Sequence, residues 1–521
     1  MTETRPEPIR DNRPAEKWLW AASILLVFAS AFLLLSLLTA DPDLWGHLKF
    51  GLDHLERGGL QRTDPYSFTA RGYPWINHEW LSEVIAALAY RAFSDPGLLF
   101  GKLLLGLLTT LILLATCRLR PANPLVLAGV GVLAMCGLSP GFMIRPQVFS
   151  FLFFSAFLLV LHLFFLRRKN YLFLLPLLTA LWVNLHGGFL MGWALIFVVT
   201  GWEAFLSIIT RRKRPWLFAL LAAFAAVNLA TLANPYGFRL HVFLYETLKL
   251  SPDITEWRRL PLLDFSFIEV KALMLLFLAA AILDRKNVRG WEFWAVAMTF
   301  YASLKFQRHT PFFALAVTPF LSAHLSALAE RVRGRNPGLR LSPASLAILS
   351  GALLVMAFWQ VERGVRAYAA TGCRIYVSPA AYPIGGVRFI RENGIRGNLL
   401  VPFDWGEYAL WHLYPGCLVS IDGRFTTSYP PAVIAAHFVA DRDERGWKRL
   451  VEKYPADVII SRQIPYFQKL VAARSPEWIY VYSDPVSIVF LRNNAKNREA
   501  LARFRAGGFK YSNQPLRPFF P

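Results

Sequence analysis

Apolar runs long enough to cross a bilayer recur along this chain, separated by short basic clusters, and that alternation is incompatible with a water-soluble globular core. The first run, residues 18–40, carries no charged side chain. Read against the basic clusters at Arg118 and Arg120, 167–169, 211–214, 285–286 and 331–335, the apolar segments give about eleven spans. They are 18–40, 96–117, 121–138, 147–166, 171–185, 187–209, 215–233, 267–283, 291–304, 311–328 and 343–359. With the N-terminus cytoplasmic, every basic cluster falls on the inner side, as the positive-inside rule requires.

Composition agrees with a multi-pass membrane protein: 55% of residues are hydrophobic and 17% charged. The formal charge of +22 is distributed by topology, so no nucleic-acid partner is expected. The expected organisation is a cytoplasmic tail 1–17, a transmembrane bundle 18–361 with a first outer loop 41–95, and an extracytoplasmic α/β domain 362–521. The first span lacks a small-residue cleavage site after it and reads as a retained anchor. In the outer loop, Trp80, Leu81, Val84, Ile85 and Leu88 form a helical stripe over 78–91 suited to a membrane surface, with Asn77 as its N-cap and Glu79 in its first turn. Beyond residue 361, five short strands are expected at 399–402, 418–421, 457–461, 478–482 and 486–491, with helices at 431–440 and 447–454.

The four cysteines have no zinc-like spacing. Cys117 and Cys136 fall at or within spans. Cys373 and Cys417 belong to the outer domain, where both the bonded and the free state are open.

Polar residues gather at the outer ends of the spans. Asp41, Asp43 and His47 follow the first span, with Asn77, His78 and Glu79 later in the same loop. Other outer turns carry Arg145, then Asn184 and His186, then Asn234, and finally Lys305, Arg308 and His309. Ionisable groups at a membrane boundary mark candidate sites. Plainer readings stand beside this one: Asp41 as a solvated helix-end residue, Glu79 as a helix-start acid, His186 as a packing residue, Asn234-Pro235-Tyr236-Gly237 as a turn, Arg145 as a lipid anchor. Lys305 and Arg308 depart from the positive-inside pattern, which favours a bound anion there.

The chemistry that fits is group transfer at the membrane surface. A carboxylate takes a proton from an acceptor hydroxyl, while cations stabilise a departing phosphate. No Gly-rich nucleotide loop is present, which disfavours a nucleotide-sugar donor.

With Asp41-Pro42-Asp43 immediately after the first span, the chain resembles the C-type (GT-C) integral-membrane glycosyltransferases, whose hallmark is an acidic motif in the first outer loop. The runs Asp64-Pro65-Tyr66-Ser67-Phe68-Thr69 and Trp75-Ile76-Asn77-His78-Glu79-Trp80 look like uncharacterised bacterial members. The resemblance implies a polytopic α-helical bundle with an outer α/β domain, in a bacterial cytoplasmic membrane. It implies transfer of a sugar from a polyprenyl-phosphate-linked donor to a lipid or glycan acceptor, less readily a protein, among membrane lipids.

In that reading Asp43 or Asp41 is the general base, and the same pair would hold a divalent cation, Mg or Mn, if one binds. Arg145, Arg308, His309 and Lys305 would bind the lipid phosphate. His47, His78, Glu79 and His186 would line a polar cavity. A second likeness is to oligosaccharyltransferase catalytic subunits: Phe403-Asp404-Trp405-Gly406-Glu407-Tyr408, followed by Ser420-Ile421-Asp422-Gly423-Arg424, is similar to the region of their acceptor motif but departs from it in order and composition. It implies an acceptor-facing role for Asp404, Trp405 and Tyr408. The alternatives are an oligosaccharyltransferase or glycan ligase, a transporter or flippase, and a non-catalytic envelope-assembly protein. Polar groups at the rim, rather than the midplane, count against transport.

Overall fold

The computed structural model describes residues 14–212, 214–249, 254–336, 341–440, 444–473, 475–512, 515 and 518–521. Residues 1–13 of the expected tail and 337–340 of the basic loop lie outside the described residues. The chain folds as two compact units that do not follow its linear order. One comprises Met1–Leu37, Leu99–Phe238 and Ser251–Gly372. The other gathers Leu38–Leu98, Arg239–Leu250 and Cys373–Pro521.

The first unit is a helical bundle. Across the described residues, seven helices are long and apolar enough to cross a membrane: Pro14–Leu34, Trp80–Cys117, Pro124–Gly141, Gln147–Arg167, Phe189–Thr210, Gln307–Arg335 and Pro343–Thr371. The other four expected spans appear as shorter helices, Leu174–Trp182, Leu217–Ala230, Ile268–Leu283 and Gly290–Lys305. Turns consume their ends, as at 183–188, so that of the about eleven expected spans seven are helices of spanning length and four are shorter. The first span also ends early, at Leu34 rather than Ala40.

Small residues let these helices approach closely. Leu19, Ala22, Leu26 and Ala29 of the first helix pack with Ala128, Leu346, Leu353 and Ala357 of two others. A side-chain carbon on Gly131 would meet Val27 at 2.6 Å.

The second unit is built on a five-stranded sheet: β1 (Gly397–Leu400), β2 (Cys417–Val419), β3 (Val458–Arg462), β4 (Trp478–Ser483) and β5 (Ser487–Arg492). The order is β2-β1-β3-β5-β4. β1 pairs parallel with β2 and β3, and β5 pairs antiparallel with β3 and β4. All five expected strands are present, and helices form at Pro431–Ala440 and Glu444–Lys453. Leu400, Ile459, Phe490, Trp447 and Phe467 form a buried core between sheet and helices. All four cysteines are free.

The first outer loop is part of this second unit. Its Leu44–Arg57 helix was not expected from sequence; Gly58, in a left-handed conformation, ends it by donating to the His54 carbonyl. The expected 78–91 helix is the start of Trp80–Cys117, which breaks at Ser94. Asn77 stands ahead of this helix and accepts the Glu79 N–H at 3.3 Å, the hydrogen bond expected of a cap, while the Glu79 carbonyl accepts the Glu83 N–H at 3.2 Å. The chain enters the acidic motif through a short ladder in which Tyr376 bridges Thr39 on one side and Phe519 on the other.

Candidate active site

Asp41-Pro42-Asp43 forms a tight turn at the head of the Leu44–Arg57 helix. The Asp41 carboxylate accepts the Asp43 N–H at 3.0 Å, and its carbonyl accepts the Leu44 N–H at 3.1 Å. Asp41 is buried and Asp43 half-buried. Asp43 stands at the N-cap position, but its side chain makes no capping hydrogen bond. A negative charge is favoured there by the helix dipole. The turn thus assigns the two acids different work: Asp41 shapes the backbone, and Asp43 presents a carboxylate.

Two glycines from distant segments, Gly46 and Gly423, press on a further acid, Glu407, which is 3% exposed. The Gly46 N–H donates to Glu407 Oε2 at 2.9 Å. Any side chain on Gly46 would run into the Glu407 carboxyl. A side-chain carbon on Gly423 would sit 2.5 Å from both Asp43 Oδ1 and Glu407 Oε1. Gly406 lets the same segment press against Asp422, whose Cα would lie 2.7 Å from an added carbon. Burial, then the charges of Asp43 and Asp422, push the Glu407 carboxyl well above the usual carboxylate range.

On the other side of the turn, His47 lies one helical turn after Asp43. Its Nδ1 is 3.3 Å from Glu83 Oε1 and its Nε2 4.0 Å from Glu79 Oε2. Burial alone would lower its pKa. The Glu83 hydrogen bond and the charges of Glu79, Glu83 and Asp43 outweigh it and raise the imidazole to about 9. Asn77 holds the second Glu83 oxygen at 2.6 Å. His78 Nε2 lies 3.6 Å from Glu79 Oε1, with its ring against Phe243. The structure therefore gathers the expected His47, His78 and Glu79 into one network, with Glu79 between the two histidines and Glu83 on the far side of His47.

A buried cation fixes the framework. Arg424 donates through Nε to Asp422 Oδ1 at 2.9 Å, through Nη2 to Asp422 Oδ2 at 2.7 Å, and through Nη1 to Asp64 Oδ1 at 2.6 Å. Tyr429 adds a hydrogen bond to Asp422 Oδ2 at 2.8 Å. The guanidinium lies over the rings of Phe50, Tyr66, Trp75 and Tyr429 at 4.9–5.5 Å. A charge so enclosed is tolerated only when paired and fully hydrogen-bonded. Asp64 in turn accepts the Tyr66 and Ser67 N–H groups, so the Asp64–Thr69 run is a socket for Arg424.

The acceptor role expected for two aromatic residues is corrected. Trp405 is 1% exposed and donates to the Ala381 carbonyl at 2.8 Å. Tyr408 is 5% exposed and packs against Trp45 and Tyr382. Both rings are core: Tyr408 sits on the short helix Gly406–Leu413, which packs on the first-loop helix, and Trp405 on the turn that leads into it. Asp404 is exposed and pairs with Arg462.

The expected phosphate ligands belong to the other unit. Arg145 donates to Glu256 Oε1 at 2.8 Å. Arg308 lies 4.7 Å over the ring of Trp257. One short turn, Thr255–Trp257, thus contacts both arginines, and the Gln307 N–H donates to the Arg258 carbonyl at 3.0 Å. Lys305 lies over Phe306, and His309 Nδ1 is 3.3 Å from the Ala302 carbonyl. His186 is held by structure: its Nδ1 accepts from the Gly188 N–H at 3.0 Å and lies 2.7 Å from Ser150 Oγ. Asn234 forms a turn, accepting the Tyr236 N–H at 2.8 Å.

Glu407, Glu83, Asp422, Arg424 and Asp64 were not picked out as site residues from sequence. The signal for Glu407 was its place between Gly406 and the Asp422-Gly423-Arg424 turn. Among the described residues no group of three His, Cys, Asp or Glu side chains is arranged to hold a metal ion. Asp41 accepts the backbone N–H of its own turn.

No family profile matches the chain, and no curated protein matches it. Solved structures do. The oligosaccharyltransferase AglB from Archaeoglobus fulgidus, in complex with an inhibitory peptide and a dolichol-phosphate, superposes with a TM-score of 0.54 at 12% identity, over 91% of this chain and 74% of that one. A second structure of the Archaeoglobus fulgidus oligosaccharyltransferase, tethered to an acceptor peptide with the NVT sequon, gives 0.47 at 12% identity over the same shares. ArnT from Cupriavidus metallidurans in the apo state gives 0.48 at 11% identity, over 91% of this chain and 97% of that one. The chain, with its helices of spanning length and its small mixed sheet, shares the fold of the AglB structure over 91% of its length.

Proposed function

We propose that this chain is a glycosyltransferase of a bacterial cytoplasmic membrane, with its N-terminus inside and its α/β unit outside. It moves a single sugar from a polyprenyl-phosphate donor to a lipid or glycan acceptor. The observation that carries this reading is the Asp41-Pro42-Asp43 turn on the GT-C fold: Asp41 is spent on the backbone, while Asp43 stands at a helix head beside a histidine held protonated.

Asp43 takes the proton from the acceptor hydroxyl as that oxygen attacks the anomeric carbon. The bond from that carbon to the lipid phosphate oxygen breaks, and the phosphate leaves on its polyprenyl chain. One displacement inverts the anomeric centre. Negative charge grows on the departing phosphate, where a guanidinium is most effective. His47, paired with Glu83, orients Asp43 through charge and the shared helix.

The test is Asp43→Asn in the full-length protein. Loss of transfer by about 100-fold or more, with an unchanged melting temperature and accumulation of a single-sugar lipid monophosphate in a deletion strain, is the expected result. Full activity in the variant removes the reading. Accumulation of a preassembled glycan on a lipid diphosphate assigns the chain to oligosaccharyl transfer instead.

A further inference from the structure

Helix ends of the first unit border a cavity of about 810 Å³, within the size range of small-molecule sites. Its wall draws on the basic ends of the bundle and shares no residue with the acidic turn. Arg120 is 17% exposed, and its Nη1 donates to Glu292 Oε2 at 2.7 Å. Among the described residues no acceptor meets Arg120 Nε or Nη2, Asn123 Nδ2 or Trp20 Nε1, and all three residues line the cavity. Asn123 uses its Oδ1 to cap the helix Pro124–Leu138, accepting the Leu125 and Val126 N–H groups. Its amide nitrogen is what it has left for a ligand. Polar groups so enclosed ordinarily find partners, and a guanidinium with open donors selects an oxyanion such as phosphate.

The wall is balanced in charge: Arg120, Arg289 and Arg333 stand against Glu16, Asp284 and Glu330. Asp284 is held by His324, Arg331 and Asn287, whereas Glu330 meets Arg333 in an exposed pair at 2.9 Å. Leu19, Leu125 and Leu346, from three helices of spanning length, supply an apolar side. We infer that this cavity binds the headgroup of a zwitterionic phospholipid that carries a primary ammonium. Its phosphate lies on Arg120, Asn123 and Trp20, its ammonium at Glu16 and Glu330, and its acyl chains run out along the leucines. A simple anion would leave the two acids without a counter-charge, and a soluble phosphate would leave the leucines in water. Basic pockets between membrane helices are suited to lipid phosphates. In the proposed orientation the leaflet is the inner one, but binding itself does not depend on that assignment.

The test is lipid binding by the full-length protein, delipidated in detergent, followed by native mass spectrometry with the melting temperature read in parallel. The probes are dioleoyl phosphatidylethanolamine, the phosphatidylglycerol and phosphatidylcholine with the same chains, and inorganic phosphate. Phosphatidylethanolamine should bind and raise the melting temperature, the other two lipids should bind about tenfold more weakly, and inorganic phosphate should have no effect. Asn123→Asp keeps the capping oxygen and puts an anionic oxygen in place of the donor. Trp20→Phe keeps a ring beneath Arg118, which lies 4.9 Å over it, and removes the indole N–H. Affinity for phosphatidylethanolamine should fall by about tenfold in the first and about threefold in the second.

Unchanged affinity in both variants overturns the site. Phosphatidylglycerol binding as tightly as phosphatidylethanolamine overturns the zwitterionic assignment. Stabilisation by inorganic phosphate equal to that by lipid assigns the cavity to a free phosphate and overturns the lipid. Should Asn123→Asp fail to fold, Trp20→Phe reads the same loss. Sugar transfer is not a readout here, so either outcome leaves the proposed function to its own test.

Discussion

Arg424 Nη1 lies 2.6 Å from Asp64 Oδ1, joining a strand-end turn late in the chain to the first outer loop across 360 positions of sequence. Both side chains are almost wholly buried, at 3% and 0% exposure. The pair therefore ties the loop bearing Asp43 to the turn bearing Gly423, and through them to Glu407.

Removing one member of such a network strands the others in a low-dielectric interior. Arg424→Ala should destabilise the unit by about 3–5 kcal/mol, read as a lower melting temperature and faster proteolysis at 38–98. Arg424→Lys should recover little, because an ammonium cannot serve both Asp422 oxygens and Asp64 at once. An unchanged melting temperature in Arg424→Ala would show that the network does not hold the loop.

The charge of His47 gives a pH prediction with a definite sign. Its pKa is raised from 6.5 to about 9 on folding. Its contribution to stability is complete below pH 6.5 and is lost as pH rises through about 9, up to roughly 3 kcal/mol. Stability of wild type should fall over that window relative to His47→Gln. Glu83→Gln should bring the His47 titration midpoint down towards the ordinary imidazole value, measured by NMR of labelled histidine.

Gly423→Ala places a carbon 2.5 Å from both Asp43 Oδ1 and Glu407 Oε1. Overpacking of this kind costs about 1–3 kcal/mol and should displace the Asp43 carboxylate. The expected outcome is a larger fractional loss of transfer than of stability. Gly59→Ala, where an added carbon meets nothing within 4 Å, is the matched control.

Asp41 and Asp43 should separate by kind of defect. Asp41→Asn keeps an oxygen for the Asp43 N–H bond and should retain most activity. Asp41→Ala loses that bond, about 1 kcal/mol, and should lower turnover through the disordered turn. Equal, complete loss in both Asp41→Asn and Asp43→Asn would mean that both carboxylates touch the reaction.

Much of this protein was legible because its elements are announced locally. An uninterrupted apolar run has few alternatives to a membrane helix, and short apolar runs bounded by turn residues marked all five strands. The acidic motif was readable because two carboxylates stand beside a helix stop.

The Leu44–Arg57 helix was not legible from the same residues. Its apolar positions, among them Leu44, Trp45, Leu48 and Phe50, are buried against residues such as Tyr382, Tyr408 and Trp75 that come from other parts of the chain. Trp405 and Tyr408 misled for a related reason: an aromatic motif has the same composition whether it recognises a ligand or fills a core. Glu407 was passed over despite its glycine neighbours, since an acid on a short helix looks solvated until Gly46 and Gly423 are seen against it.

By itself, then, the sequence determined the membrane class, the five-stranded domain and the acidic turn, each set by hydrophobic period and backbone chemistry over a few neighbouring residues. Only the tertiary structure decided which acids share a space, which histidine is charged and which aromatic rings are core. Those properties depend on burial and on partners hundreds of residues away, and a pKa or a close approach exists only once the chain has brought them together.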